Sequence, residues 1–372
     1  MAIAQIRNRR WFRNITHLCR IVFALTFIFS GVVKSMDPWG TALSVGNYLV
    51  TYNLEWLQPL IMVISIWLCG AELMMGCMLL FKVRIRMCST FAAVSMLFFT
   101  ILTLLSATVL PVEDCGCFGD VIKLTPWQSF FKNLALLPLI TVVWWRYRRD
   151  RMFSFSRLEL LLAALFFCCS MGFGIYNYNH LPLVDLLPYK VGTNIAQAME
   201  EARNRQADSQ VVLVYRNLNT GKLKEFSLDD DAWHNDKRWE WVETRVSEGV
   251  SDIVEPMILE FYISDGQREV TEDILATEGE LYMLCITSRA KVSSRCEQTI
   301  ATTINDAHSR GANVICLTPE QITPNTTFTF DNSTPVPCYN IDSKTMKTML
   351  RANNGLVILT NGTITHKQNL GN

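Results

Sequence analysis

Five long apolar stretches dominate the first half of this 372-residue chain and constrain its fold more than any other feature. A helix needs about 20 apolar residues to cross the roughly 30 Å hydrocarbon core of a bilayer. We therefore predict five transmembrane helices, at Ile15–Val33, Leu60–Phe81, Met87–Leu110, Phe131–Trp145 and Leu158–Tyr176. The fourth of these stretches approaches 20 residues only if its amphipathic start from Trp127 is included. No small-residue cleavage site follows the first stretch, which favours an uncleaved anchor over a signal peptide.

The net charge of zero conceals a split between two halves of opposite charge. Residues 1–178 carry 16 Lys and Arg against 8 Asp and Glu, which gives +8, whereas residues 179–372 carry 18 against 26, which gives −8. This division predicts a membrane domain joined to an acidic soluble domain. We predict a four-helix membrane domain at 1–150, a fifth transmembrane helix at 151–180, a mostly β connecting region at 181–275 and a thioredoxin-like domain at 276–372.

Basic residues next to the apolar stretches predict the orientation of the chain in the membrane. Three clusters fall on one side of the predicted helices and hold 13 of the 16 basic residues of the first half. The excess of Lys and Arg in cytoplasmic loops therefore predicts a cytoplasmic N-terminus and an outer C-terminal domain. In a bacterium this means the inner membrane and the periplasm. The clusters are Arg7, Arg9, Arg10, Arg13 and Arg20; Lys82, Arg84 and Arg86; and Arg146, Arg148, Arg149, Arg151 and Arg157.

The segment EDCGCFGD places Cys115 and Cys117 on a short outer loop between two apolar stretches. A bond between them would close a very small ring, and such a ring restrains little chain entropy. Strained disulfides are easily reduced, and labile disulfides tend to be regulatory or catalytic. The pair therefore indicates a redox couple. A predicted capping box at Thr125–Gln128, with Pro126 at the first helical position, starts the next helix close to these thiols.

Three other interpretations of Cys115 and Cys117 stay open. Each cysteine could pair elsewhere in the outer domain, or the two could form a tight structural turn. They could also be half of a metal site, although the loop has no His and four ligands are usually needed. We predict no metal site.

Glu72 and Lys34 are the two charged residues of the apolar region that suggest function. A carboxylate inside a membrane helix is expensive and is a functional candidate by default, although Glu72 could equally fix helix packing through a hydrogen bond. Lys34 is a candidate interfacial residue that could contact a lipid or quinone head group, or extend its ammonium group to the membrane surface. We interpret the six cysteines in or beside the helices as small packing residues. They are Cys19, Cys69, Cys77, Cys88, Cys168 and Cys169.

The membrane half resembles the DoxX/MauE-like superfamily of four-helix membrane proteins, in the Bacteroides-type variant that adds a fifth helix and an outer domain. The similar motifs are FSGVVKSMDPWG, CGAELMMG, CGCFGD before TPWQSFFKN, and HLPLVDLLPYKVGTNI. The resemblance implies thiol or quinone-linked redox work at the outer face of the inner membrane. MauE-like proteins are associated with methylamine utilisation, where they support maturation of a disulfide-rich periplasmic dehydrogenase subunit. DoxX-like relatives are associated with sulfur-compound oxidation coupled to quinone.

Alternating apolar and polar residues predict a soluble domain from about Asp185 onward. Asp265-Gly266 and Asn361-Gly362 are typical of hairpin turns. From Leu281 the predicted order β-α-β-α-β-β resembles a thioredoxin-like fold. The predicted strands are Val211–Tyr215, Lys224–Leu228, Trp239–Val246, Met257–Ser264, Leu281–Thr287, Asn313–Thr318, Leu356–Leu359 and Thr363–Lys367, and the predicted helices are Cys296–Ser309 and Asp342–Ala352.

The cysteines of the soluble domain do not match a working thioredoxin site. Where the resemblance would place a CxxC motif, the chain has Ser293-Ser294-Arg295-Cys296, and a dithiol mechanism needs two sulfurs. We therefore predict a degenerate module that binds or presents a partner, with Cys296 as a possible reactive thiol. Cys285 and Cys316 are predicted to be buried free thiols on adjacent strands.

Two functional hypotheses follow from the sequence. In the first, Cys115 and Cys117 cycle between dithiol and disulfide and pass electrons between a periplasmic thiol protein and a membrane quinone. In the second, the membrane half is a non-enzymatic anchor or scaffold for a partner-binding domain. The sequence has no nucleotide or nucleic-acid signature, and quinone is suggested as a cofactor by the family resemblance alone.

Overall fold

The computed structural model of the protein describes residues 10–109, 116, 119, 122, 124–150, 156–182, 185, 187–208, 211–218, 222–227, 238–246 and 258–371. The chain divides into two units. The first contains Met1–Leu186 together with Leu350–Gly355 and Gln368–Asn372, and the second contains Leu187–Met349 and Leu356–Lys367.

The first unit is helical. The described helices are α1 (Arg10–Met36), α2 (Pro38–Thr51), α3 (Ile61–Leu80), α4 (Ile85–Thr108), α5 (Pro126–Tyr147) and α6 (Arg157–Asn179), and a 3₁₀ turn, Glu55–Leu60, precedes α3.

Helices lie at all five predicted transmembrane positions, and four of them are long and apolar enough to cross a membrane. These four are α1, α3 with its preceding 3₁₀ turn, α4 and α6. Helix α5 is not among them, and its sequence includes Lys132 and Asn133. The predicted capping box is confirmed at the start of α5, where Thr125 accepts from the backbone N–H of Gln128 and the Gln128 side chain accepts from the N–H of Thr125.

Glycines let α1 and α3 approach each other closely. A Cβ atom added to Gly31 of α1 would lie 2.5 Å from the backbone N of Leu73, and one added to Gly76 of α3 would lie 2.8 Å from the N of Ile28. Small residues at membrane helix interfaces allow this backbone contact, and it contributes van der Waals energy that lipid tails cannot replace. The close crossing brings the last turns of α1 beside the middle of α3.

The helices that belong wholly or mostly to the second unit are α7 (Ile195–Asp208), α8 (Thr271–Leu275), α9 (Ser294–Ser309) and α10 (Ser343–Leu350). The described strands that belong wholly or mostly to it are β1 (Val211–Asn217), β2 (Leu223–Ser227), β3 (Trp239–Val246), β4 (Ile263–Ser264), β5 (Glu280–Ile286), β6 (Asn313–Thr318), β7 (Thr327–Phe328), β8 (Val336–Ile341), β9 (Asn354–Thr360) and β10 (Thr363–Asn369).

Two sheets organise the second unit. Strand β1 pairs antiparallel with β2 on one side and β3 on the other. The larger sheet has the order β10-β9-β5-β6-β8-β4, and β7 pairs with β8 at its margin. Strands β5, β6 and β8 run parallel, with Leu284 opposite Cys316 and Cys316 opposite Cys338.

The structure corrects several predicted elements of the soluble domain. The described part of the predicted strand Met257–Ser264 is a strand only at Ile263–Ser264, because Ile258 lies in a helical turn. Helices α7 and α8 and strands β7 and β8 were not predicted. Pro337 lies inside β8, and proline normally argues against an interior strand. Here Pro337 lies just before Cys338, where the ladder to β6 begins, so the missing N–H costs that ladder no bond.

The predicted turn at Asn361-Gly362 is confirmed between β9 and β10. Both residues have positive φ angles, 49° and 76°, as a two-residue hairpin turn requires. The Asn361 side chain also accepts a hydrogen bond from the backbone N–H of Gly279 at 2.9 Å, which ties the turn to the start of β5.

Candidate functional site in the membrane unit

A buried ion pair joins α1 to α3. The Lys34 Nζ atom lies 2.8 Å from Glu72 Oε1 and 3.0 Å from Glu72 Oε2, and each side chain is only 7% exposed. The Ser30 hydroxyl donates a further hydrogen bond of 2.8 Å to Glu72 Oε2. Ser30 and Lys34 are four residues apart, so both point from the same face of α1 toward α3.

The pair compensates the cost of burying two charges. An isolated charge in an apolar interior is strongly unfavourable, so buried charges are normally paired and hydrogen-bonded. Glu72 has three donor contacts from Lys34 and Ser30, which satisfy part of the hydrogen-bonding capacity that water would otherwise fill. The sequence suggested Glu72 and Lys34 separately, and the structure brings them together.

The ion pair lines a cavity of about 310 Å³ within the first unit. This volume is within the range of sites that hold small molecules. Most of the cavity wall is apolar, and helices α1 to α5 all contribute residues to it. The apolar lining residues are Phe27, Val45, Leu49, Ile64, Leu68, Met96, Phe98, Phe99, Leu102 and Leu136.

Helix α2 contributes a polar face to the cavity. Thr41, Ser44 and Tyr48 follow a helical spacing of three and four residues and all line the wall. The helix starts at Asp37, whose side chain accepts a hydrogen bond of 2.9 Å from the backbone N–H of Gly40, and proline follows at the first helical position. The cap at Asp37 therefore fixes the start of α2, the helix whose three hydroxyl side chains line the same cavity as the ion pair.

Helix α5 adds a second lysine and an amide to the same cavity. Lys132 and Asn133 both line the wall. The Asn133 side chain donates to the Phe99 carbonyl oxygen and the Thr103 hydroxyl, each at 3.3 Å, so α5 is tied to α4 at this depth. The polar part of the cavity thus contains two lysines and one carboxylate, which favours a ligand with hydrogen-bond acceptors.

The residue between the two predicted redox cysteines also lines this cavity. Cys115 and Cys117 lie outside the described residues, but Gly116 belongs to the cavity wall. Its φ angle is 61°, and an added Cβ atom would lie 2.7 Å from the Ser44 Cβ, so glycine is required on both conformational and steric grounds. Gly119 lies near Lys34, because a Cβ atom added to Gly119 would be 4.0 Å from the Lys34 Cα.

Asp37 has a second partner within the first unit. Arg351 belongs to the segment Leu350–Gly355 of that unit, and its Nε atom donates to Asp37 Oδ2 at 3.0 Å. Arg351 is only 1% exposed and has a φ angle of 49°. Sequence reasoning missed this pair because the two residues are 314 positions apart.

The cysteines of the second unit are buried. Cys296 lies in the first turn of α9, where burial and the nearby Glu297 raise the pKa of its thiol. Burial raises the pKa of Cys285 to about 12. Because the thiolate is the nucleophile, both groups are poorly reactive in the folded unit at neutral pH. The assignment of Cys296 as a reactive thiol stays a prediction. Within the described residues no group of three or more His, Cys, Asp or Glu side chains could hold a metal ion.

These features define a polytopic membrane protein with an amphipathic cavity among its helices and a separate α/β unit. The model of the family described as Methylamine utilisation protein MauE matches residues 12–146, roughly a third of the chain. Over these residues the membrane half is similar to the MauE family, which confirms the predicted resemblance there. The match covers α1 to α5 almost completely, with the ion pair and the Cys115–Cys117 segment. Neither the comparison with curated proteins nor that with solved structures gave a match.

Proposed function

We propose that the protein is a thiol–quinone redox protein of a bacterial inner membrane, in which Cys115 and Cys117 exchange electrons with a quinone bound in the cavity. The observation that carries this proposal is the position of Gly116. The residue that separates the two cysteines lines the same apolar cavity as the buried Lys34–Glu72 pair.

The chemistry of the cavity wall suits a quinone. A quinone has an apolar tail and two carbonyl oxygens that accept hydrogen bonds. The aliphatic and aromatic residues of α3 and α4 offer an apolar surface for the tail. Lys34, Lys132 and the hydroxyls of Ser44 and Tyr48 are donor groups of the kind that a carbonyl oxygen needs, and they share one cavity. The positive charges of Lys34 and Lys132 would also stabilise the negative charge that develops on a quinone as it is reduced.

The proposed reaction balances in two steps. An exported thiol protein reduces the Cys115–Cys117 disulfide by thiol–disulfide exchange, which oxidises the partner's two thiols to a disulfide. The Cys115–Cys117 dithiol then loses two electrons and two protons as its S–S bond forms again. The quinone gains both electrons and both protons and becomes a quinol. The protein is unchanged after one cycle.

The charge distribution supports an outer location for the cysteine segment. Three basic clusters predict a cytoplasmic N-terminus, so the segment before α5 and the second unit would lie in the periplasm, where disulfides persist. A reporter enzyme fused after Arg148 is therefore expected to be active only in the cytoplasm, and an impermeant thiol reagent is expected to label reduced Cys115 in intact spheroplasts.

We propose that the second unit is a thioredoxin-like module that recognises the thiol partner. The strand order β6-β5-β9-β10, with α9 between β5 and β6 and α10 just before β9, supports this proposal. The unit keeps one cysteine, Cys296, where such domains have two, so binding is a better assignment than dithiol catalysis.

A quinone-reduction assay tests the proposal directly. The purified full chain in proteoliposomes is mixed with dithiothreitol and decylubiquinone, and quinone loss is followed by absorbance. We expect catalysis above the uncatalysed rate, reduced to that rate in C115A and C117A. The matched control is C168S, because Cys168 is an exposed helix cysteine that does not line the cavity. Wild-type activity no greater than that of C115A would contradict the proposal.

The second candidate function is a non-enzymatic anchor that presents a partner-binding domain. The observation that favours it is the burial of all four thiols of the second unit, which leaves no exposed dithiol there. The C117A variant separates the candidates in cells, because a redox protein would trap its partner as a mixed disulfide at Cys115. An anchor would form no adduct, and its Cys115–Cys117 pair would not change redox state.

A further inference from the structure

We propose that Cys316 and Cys338 form a second dithiol–disulfide couple, enclosed in the larger sheet of the second unit. The two residues are directly opposite each other on the parallel strands β6 and β8. Both are buried, with 0% and 4% of their surface exposed.

The geometry of neighbouring strands allows the bond. Adjacent strands of a sheet lie about 4.8 Å apart, and disulfides join residues whose Cα atoms are about 4.4–6.8 Å apart. Direct register partners on parallel strands also project from the same face of the sheet, so the side chains of Cys316 and Cys338 are neighbours on one face. Cys285 provides the contrast within the same sheet. Its register partner is Leu317, so it lies on the opposite face from Cys316.

Closure is a two-electron oxidation. Each thiol loses one proton and one electron, and the Sγ–Sγ bond forms between β6 and β8. In a glutathione buffer the two electrons reduce one molecule of oxidised glutathione to two of glutathione. In cells the oxidant would be a disulfide-bonded protein outside the cytoplasm, so the cellular form of this proposal rests on the orientation given under the proposed function.

The chain carries a convenient reporter for this pair. Residues 311–343 contain no Lys or Arg, so trypsin releases one peptide, Gly311–Lys344, which holds Cys316 and Cys338 and no other cysteine. Cys285 falls in a separate peptide, Glu269–Arg289, and Cys296 in the peptide Cys296–Arg310. The redox state of the proposed pair can therefore be determined without interference from Cys115 and Cys117.

The experiment is differential alkylation of the full chain. Membranes are quenched with acid, denatured and alkylated with iodoacetamide, and then reduced and alkylated with N-ethylmaleimide. We expect two N-ethylmaleimide groups on Gly311–Lys344 and none on the Cys285 peptide. In a C338S variant the remaining Cys316 is expected to carry the carbamidomethyl group from iodoacetamide. In C285S the Cys316–Cys338 pair is expected to be alkylated as in the wild type.

A second arm separates this proposal from the orientation of the protein. The purified full chain is incubated with oxidised glutathione in mild denaturant, so that the buried thiols are accessible. It is then diluted to refold and alkylated in the same way. Oxidation of Gly311–Lys344 here but not in cells would support the couple and place the second unit on the reducing side of the membrane. Two iodoacetamide groups on this peptide after equilibration would overturn the proposal.

Discussion

Removal of the Lys34 charge is the most direct test of how the membrane unit is stabilised. In K34M the Glu72 carboxylate stays buried, loses both contacts from Lys34 Nζ and keeps the hydrogen bond from the Ser30 hydroxyl. Breaking a buried ion pair from one side costs about 3–5 kcal/mol, because the remaining charge is neither solvated nor paired. Since about 1.4 kcal/mol corresponds to a factor of ten, the ratio of unfolded to folded protein is expected to rise between roughly 100-fold and several thousand-fold.

The measurement is reversible unfolding in mixed micelles of dodecyl maltoside and SDS, followed by circular dichroism. K82M is the matched control, because Lys82 is exposed and its removal is expected to change the free energy of unfolding by less than about 0.5 kcal/mol. The double variant K34M/E72M replaces both charges with apolar side chains and is expected to recover most of the loss.

Two results would refute this reasoning. A cost below about 1 kcal/mol for K34M would mean that the pair behaves as a solvated surface ion pair. A double variant as unstable as the sum of its two single variants would mean that Lys34 and Glu72 act independently. If the double variant is stable but no longer reduces decylubiquinone, the pair has a role in quinone binding that is separate from its role in stability.

Three further predictions concern helix contact, pH and the proposed couple. G31A is expected to destabilise the membrane unit by about 1–3 kcal/mol in the SDS titration, because its methyl group would meet the Leu73 backbone, whereas G172A has no atom within 4 Å of the new methyl group and is expected to be neutral or slightly stabilising. Burial raises the pKa of the Cys285 thiol from 9.0 to about 12, so this thiol ionises at lower pH in the unfolded chain than in the folded one. The free energy of unfolding therefore falls as pH rises from about 9 toward 12, by at most about 4 kcal/mol. In a urea titration C285A is expected to show a smaller pH dependence than the wild type, and an identical pH dependence would contradict this. If the Cys316–Cys338 bond is closed, its reduction is expected to cost about 3 kcal/mol in the same titration, since the bond closes a loop of roughly 20 residues, and no loss on reduction would contradict a constraining bond.

Local signals in the sequence predicted the elements of this protein well. The lengths of the apolar stretches predicted five of the six described helices of the membrane half, all but α2, and the Thr125 capping box and the Asn361-Gly362 turn appear as expected. Each of these features depends on residues that are close together in the chain. Helix length, end caps and two-residue turns are determined by nearby backbone and side-chain groups, so the local sequence is sufficient to predict them.

The contacts that form the candidate site join residues that are far apart in the chain. Lys34 and Glu72 are 38 residues apart on different helices, and their pairing depends on the close crossing that Gly31 and Gly76 allow. The charge of Glu72 was evident in the sequence, but its partner was not. The cavity likewise needs walls from α1 to α5, so it exists only when those helices are packed together.

In the soluble unit, too, local elements were predicted from the sequence but long-range contacts were not. Alternating residues predicted β5 and β6, whereas β8 was missed, so the register that places Cys316 opposite Cys338 could not be foreseen. The sequence by itself therefore determined a membrane half, a soluble half and most local elements, because short-range preferences and hydrophobicity act along the chain. Only the tertiary structure decided which charges and thiols meet, because those contacts arise from the packing of elements far apart in sequence.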